Sequence, residues 1–122
     1  MRLSAARLFV KDLKSARRFY AEMLQLPLKV DGSQYGYCVF DAGAVDLVVE
    51  VVRPEDPPEE QAYAGRFTGL SFAVPDIAAA HQRLSASGVR FSGLPEKQFW
   101  GGWLATFEDG DGNELQLVQH AS

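Results

Sequence analysis

One stretch of this chain occurs twice, and it limits the folds available more than anything else in the sequence. Leu8-Phe9-Val10-Lys11-Asp12-Leu13 returns 64 residues later as Phe72-Ala73-Val74-Pro75-Asp76-Ile77, each time an apolar run closed by Val-x-Asp and an aliphatic residue. The apolar run reads as the end of a strand. The Asp falls where a helix N-cap belongs, its carboxylate taking the free first-turn N–H groups, and helical spacing starts with the next residue. A strand-to-helix joint used twice, half a chain apart, predicts a duplicated module. Two half-sheets brought together are expected to leave a cleft.

The remaining pattern fits that plan. Ala16, Phe19, Tyr20, Met23 and Leu24 follow Leu13 at helical spacing, with Lys14, Arg17, Arg18 and Glu22 on the other face, so an amphipathic helix precedes Pro27. Strands are expected at 28–30, 35–40 and 45–52, with turns at Asp31-Gly32-Ser33 and Asp41-Ala42-Gly43. Residues 54–65 carry Pro54, Pro57 and Pro58 among acidic side chains, a composition unsuited to sheet pairing, and read as an exposed linker. The second half predicts a strand at 66–74, a helix at 77–87 capped by Gly88, a short strand at 89–91, a loop at 93–101, and strands at 103–107 and 113–119. The expected organisation is one domain over 1–122, with modules 1–53 and 66–122 joined by linker 54–65. The fold class is α+β, two tandem βαβββ modules with curled mixed sheets forming a cleft and helices on the outer face.

Composition narrows function. With 12 basic and 16 acidic residues the net charge is −4, and no basic stripe offers itself to a phosphate backbone, so no nucleic-acid partner is expected. Cys38 is the single cysteine, the N-terminal segment has no signal-peptide core, and no apolar run reaches bilayer length, so a cytoplasmic protein without a membrane partner is expected. Cys38 reads as a small buried side chain.

The two Val-x-Asp joints, Phe19-Tyr20 in the first helix, Trp100-Gly101-Gly102 before a strand and Asp111-Gly112-Asn113 before the last strand together resemble the vicinal oxygen chelate superfamily, which includes glyoxalases, bleomycin-resistance proteins and extradiol dioxygenases. The resemblance spans essentially the whole chain. Leu26 stands where such families often have Gly, and Gly110 where they often have Pro.

The resemblance implies paired βαβββ modules and, in metal-dependent members, ligands on the first and last strands of each module. Those positions fall on Ala5, Glu50, Gly69 and Gln116. Ala5 and Gly69 bring no donor, whereas a divalent ion of this kind wants three or four. His81 reads as a surface residue of the second helix. His120 lies four strand residues from Gln116, roughly 13 Å, too far for one coordination shell. No metal and no cofactor are expected. Asp109-x-Asp111-x-Asn113 imitates the start of a calcium loop but has Glu114 at the sixth position and His120 at the twelfth, so it reads as a hairpin turn.

Strand parity selects the cleft-facing side chains. If Leu8 and Val10 pack under the helix, then Ala5, Arg7 and Phe9 point the other way, and the same logic exposes Val48, Glu50, Val52, Ser71, Ala73, Gln116 and Val118 to the cleft. Arg7, Glu50 and Gln116 are then polar groups on an apolar floor. Two readings stay open: they orient a ligand, or Arg7 and Glu50 merely pair with each other. Tyr35, Tyr37, Trp100 and Trp103 are candidates to stack on a planar ligand. Phe19, Tyr20, Phe72 and Phe107 are assigned to the core. The expected function is a small-molecule-binding protein of the bleomycin-resistance type, holding a hydrophobic or planar compound without metal. The alternative is a lyase, isomerase or dioxygenase of the same superfamily using Glu50 as base or metal ligand. The resemblance also implies a homodimer.

Overall fold

The computed structural model describes residues 1–122. It divides into two units, Met1–Arg66 with Gly110–Gly112, and Phe67–Asp109 with Asn113–Ser122. No helix is long and apolar enough to cross a membrane.

In the first unit, β1 (Ala5–Val10) leads into Asp12, whose side chain accepts the Ser15 N–H at 3.1 Å and starts α1 (Leu13–Arg18). The expected single helix through Leu24 is not regular. It widens into a π turn over Phe19–Met23, with Leu24 N–H donating to Phe19 O at 3.1 Å, and closes through Gln25 at φ 59°, the one non-glycine with positive φ. This turn places Phe19 edge-on to Tyr20, with ring centroids 5.0 Å apart, and Tyr20 against Phe40 at 5.9 Å. Then come β2 (Leu28–Gly32), a 3-10 turn (Ser33–Tyr35), β3 (Tyr37–Asp41) and β4 (Asp46–Val51). The sheet order is β1-β4-β3-β2, with β1 and β4 parallel and the other pairs antiparallel. Leu8, Val10, Cys38, Phe40, Leu47 and Val49 alternate onto the helix-covered face and are buried with Ala16, Phe19 and Tyr20.

Two expectations for this unit are corrected. Val52, expected on the open face, is buried: β4 ends at Val51, and Val52 turns its N–H to Val10 O at 2.8 Å. Residues 54–65 are mostly exposed but not without structure. They contain α2 (Pro58–Gln61), and Ala64 makes a single parallel bridge to Phe9. The prolines stop at Pro58, so the backbone of Ala64 is free to reach β1.

The second unit repeats the order. β5 (Phe67–Ala73) leads into Asp76, which accepts the Ala79 N–H at 3.1 Å and starts α3 (Ile77–Ala86). Gly88 follows at φ 104°. β6 (Arg90–Phe91), β7 (Glu96–Lys97), β8 (Trp103–Glu108) and β9 (Glu114–Gln119) complete a five-stranded sheet of order β5-β9-β8-β6, with β7 also on β8. β7 lies inside the stretch expected to be a loop. At two residues it is too short to show a period in sequence.

Ala105, Phe107, Leu115 and Leu117 are buried under Ile77, Ala80 and Leu84. Phe72, assigned to the core, is half-buried, whereas Phe107 is 1% exposed. His81 is no simple surface residue. Its Nε2 lies 3.1 Å from Gly93 O and its ring 4.3 Å from that of Phe91, so it fixes the start of the 93–101 segment. Asp109 and Asn113 are buried. Asn113 donates its N–H and its Nδ2 to the two Asp109 oxygens at 3.0 Å each, so the carboxylate that a calcium loop would use is spent on the turn. The intervening Asp111 groups with the first unit, where its Oδ1 accepts the Lys11 N–H at 2.8 Å. The result is an α+β fold with mixed sheets of four and five strands, each built on a strand-helix joint.

Candidate functional site

The register of β1, β4 and β3 lays out the open face of the first unit as a grid. One row is Arg7, Val48 and Val39; the next is Phe9, Glu50 and Tyr37. Arg7 donates Nε and an Nη to the two Glu50 oxygens at 2.8 Å each, a bidentate fork. The Glu50 carboxylate holds the Arg7 guanidinium above its ordinary pKa, chiefly through this hydrogen bond and then through charge. The pair sits at the surface of the floor: the Arg7 side chain is 61% exposed and that of Glu50 27%. Arg7 also lies over the Phe9 ring, 5.2 Å from its centroid, and Phe9 meets Tyr63 at 5.1 Å. Tyr63 falls in the stretch expected to be linker, where a lone aromatic among acidic residues and prolines carries no periodic signal.

Beside this grid is an open hollow of about 420 Å³, lined by Tyr35, Tyr37, Val39, Val48, Glu50 and Arg53 among others. Tyr35 stands at its rim, 72% exposed, because it belongs to the 3-10 turn and not to the expected strand. The Tyr37 ring covers Gly32, its cross-strand partner, and occupies the space a Cβ there would need. The larger hollow of this unit, about 930 Å³, is on the helix flank. Of the charges lining it, Arg18 pairs with Glu22 at 3.0 Å, Arg17 pairs with Asp31 at 3.2 Å and Asp12 caps α1, while no aromatic ring lines it.

In the second unit, Ser71, Gln116 and Thr106 lie side by side on the open face, and Gln116 Nε2 donates to Thr106 Oγ1 at 3.2 Å. Trp103 is elsewhere. It alternates with the buried Ala105 and Phe107 and pairs with Gln119, whose Oε1 accepts the Ile77 N–H at 2.8 Å, so it stands on the helix-covered side. Trp100 is 41% exposed and packs over Gly102, where any Cβ would collide with it. Within the first unit Arg7, Phe9, Tyr37, Val48 and Glu50 are thus brought together with Tyr35 at their margin; within the second, Ser71 and Gln116 form a neutral group that Trp103 does not join.

The metal positions implied by the resemblance do not assemble. Ala5 pairs with Asp46 while Glu50 pairs with Phe9, and four strand residues separate those levels, roughly 13 Å. Asp46 is engaged by Lys29 at 2.8 Å, and nowhere do three His, Cys, Asp or Glu side chains gather as a ligand set. These residues do not fit a transition-metal site.

A family model described as the Glyoxalase/Bleomycin resistance protein/Dioxygenase superfamily matches residues 2–117. The chain belongs to this superfamily. It is similar, at 25% identity and a TM-score of 0.83 over 98% of both chains, to a member of that superfamily from Sphaerobacter thermophilus DSM 20745. It is also similar to TnmS3, an antibiotic binding protein from Streptomyces sp. CB03234, at 28% identity and a TM-score of 0.79 over 99% of this chain and 97% of that one. UcmS2 matches at 28% identity and a TM-score of 0.81 over 97% of each chain. No curated protein sequence matches significantly.

Proposed function

We propose that residues 1–122 act as one domain, modules 1–53 and 66–122 with linker 54–65, that binds a hydrophobic or planar small molecule without metal. The observation that carries this reading is the state of Glu50. Both carboxylate oxygens accept from Arg7, and around them stand Phe9, Tyr37, Val39 and Val48, a floor suited to shape-based binding. The likeness to an antibiotic binding protein at 28% identity supports the same reading. A lyase or isomerase with Glu50 as general base would need an oxygen lone pair free to meet a substrate proton, and the Arg7 fork competes for both oxygens. Ser71 and Gln116 belong to the reading as neutral contacts, and Trp100 as an exposed aromatic; a cytoplasmic homodimer is part of it too, checked by light scattering at micromolar concentration.

The decisive experiment is native mass spectrometry of protein purified from a complex medium, followed by incubation with any retained compound. A compound recovered unchanged supports the binding protein; turnover that disappears in Glu50→Gln establishes the enzyme. Metal analysis after exposure to zinc, nickel and iron is expected to find no stoichiometric ion. One ion per chain, lost in Glu50→Ala, would overturn the metal-free part.

A further inference from the structure

The 420 Å³ hollow holds two charged side chains, and they are not equivalent. Glu50 is neutralised by Arg7. Arg53 has no such acidic partner, unlike Arg7, Arg17, Arg18, Lys29 and Arg90, each of which is ion-paired. The nearby Asp56 does not neutralise it, because the Asp56 carboxylate accepts the Arg53 backbone N–H at 2.7 Å and so fixes the main chain where the side chain departs. The guanidinium is held close to the backbone of Gly36. A Cβ built there would stand 2.9 Å from an Arg53 Nη and 2.9 Å from a Val51 methyl, and φ at Gly36 is +89°. Only glycine leaves that space open. In a chain of net charge −4, this hollow therefore presents one unmatched cation in a lining that also holds Tyr35 and Tyr37.

Resting on the small-molecule reading above, we infer that the ligand of this hollow is a planar aromatic compound bearing an anionic oxygen group, a carboxylate or an acidic phenol, with Arg53 as the residue that selects the charge. A guanidinium forks onto two oxygens in one plane, and tyrosine rings contribute flat contact area beside it. A cationic planar compound would place its charge against Arg53 while finding Glu50 already paired.

The test uses three probes of one shape on the full chain: 2-naphthoate, neutral 2-naphthamide and cationic 2-naphthylmethylammonium, measured by isothermal titration calorimetry. The expected result is that naphthoate binds about tenfold more tightly than the amide, the gain of one charge-assisted fork, and that the ammonium probe binds weakest. Arg53→Gln should bring naphthoate down to the level of the amide and leave the amide unchanged, whereas Arg53→Lys, keeping the charge without the fork, should fall between. Circular dichroism confirms that each variant is folded. Equal binding of naphthoate and amide, or a naphthoate preference that survives Arg53→Gln, overturns the charge assignment while the binding reading stands. Failure of all three probes to bind overturns both.

Discussion

At the level of Glu50 the first unit carries Phe9, Glu50 and Tyr37 across β1, β4 and β3, with Arg7, Val48 and Val39 in the next row; at the matching levels of the second, β5, β9 and β8 carry Ala73, Val118 and Leu104, and then Ser71, Gln116 and Thr106. Apart from β7, which has no counterpart in the first unit, the strand order and the mix of parallel and antiparallel pairs correspond, so the backbone provides both faces alike. The side chains do not. One face is aromatic with an ion pair and an unmatched Arg53 nearby, the other small and neutral with an amide bonded to a hydroxyl. A duplicated scaffold thus leaves each copy free to carry a different surface, and the surface able to discriminate ligands by charge is on the first.

The strongest test of how far the units differ is at the turns joining their last two strands. In the second, Asn113 is buried and donates its Nδ2 to Asp109, so Asn113→Ala is expected to cost about 2–3 kcal/mol through the loss of a buried hydrogen bond to a charged group and the space left by the amide. In the first, the corresponding Asp41 accepts the Gly43 N–H at 2.9 Å in the open, and Asp41→Ala should cost under about 1 kcal/mol. Urea midpoints decide, and equal losses would break the contrast.

The helix ends come next. α3 is followed by Gly88 in the left-handed region, whereas the π turn after α1 closes through Gln25 there, at φ 59°. Gln25→Gly is expected to stabilise by roughly 0.5–1 kcal/mol and Gly88→Ala to destabilise by about 1, read from thermal midpoints. A destabilised Gln25→Gly would mean that the Gln25 side chain contributes more than its backbone strain costs.

A smaller effect is expected at the two polar pairs. With Arg7 largely in solvent, a double-mutant cycle on Arg7 and Glu50 should give a coupling of about 0.5 kcal/mol that shrinks with added salt, while the Gln116–Thr106 coupling ignores salt. A coupling of several kcal/mol would show the floor to be dry in solution.

The smallest effect is on the acid side. Hydrogen bonds from the Ser33 hydroxyl and N–H, with a lesser contribution from the Arg17 charge, hold the Asp31 carboxyl below its ordinary 3.8. A depressed folded pKa stabilises above the unfolded value and is lost as pH falls through the folded one. The stability advantage of the wild type over Asp31→Asn should therefore be flat near neutrality and fade below about pH 4.

Much of the fold was legible because it is carried by periodic signals. Asp12 and Asp76 cap as their positions demanded, and the alternation of Leu8 with Val10, and of Leu47 with Val49, fixed which side of each strand would be buried. The failures are all local exceptions to a period: the π turn at Phe19–Met23, the two-residue β7, and Val52 leaving its strand. For the site, parity placed Arg7, Phe9, Val48 and Glu50 correctly on one face, yet it could not give the register that pairs Ala5 with Asp46 and so separates the implied ligand positions. Trp103 shares the parity of Ala105 and Phe107, which puts it on the helix-covered side of its strand. Arg53 went unnoticed as a selective group because its meaning depends on Gly36, seventeen residues earlier, and no sequence pattern couples the two.

The lone bridge from Ala64 to Phe9 bears on the chain's behaviour at high concentration. β1 is the outermost strand of its sheet and is rich in apolar residues, the kind of border on which a foreign strand can template an aggregate. Ala64 occupies that border near its C-terminal end, at Phe9, and the prolines and acidic side chains that precede it, from Pro54 to Glu60, make a poor continuation for any strand seeking to extend from it. The segment between the repeats thereby acts as a guard on the first sheet, keeping an adhesive edge from recruiting neighbours.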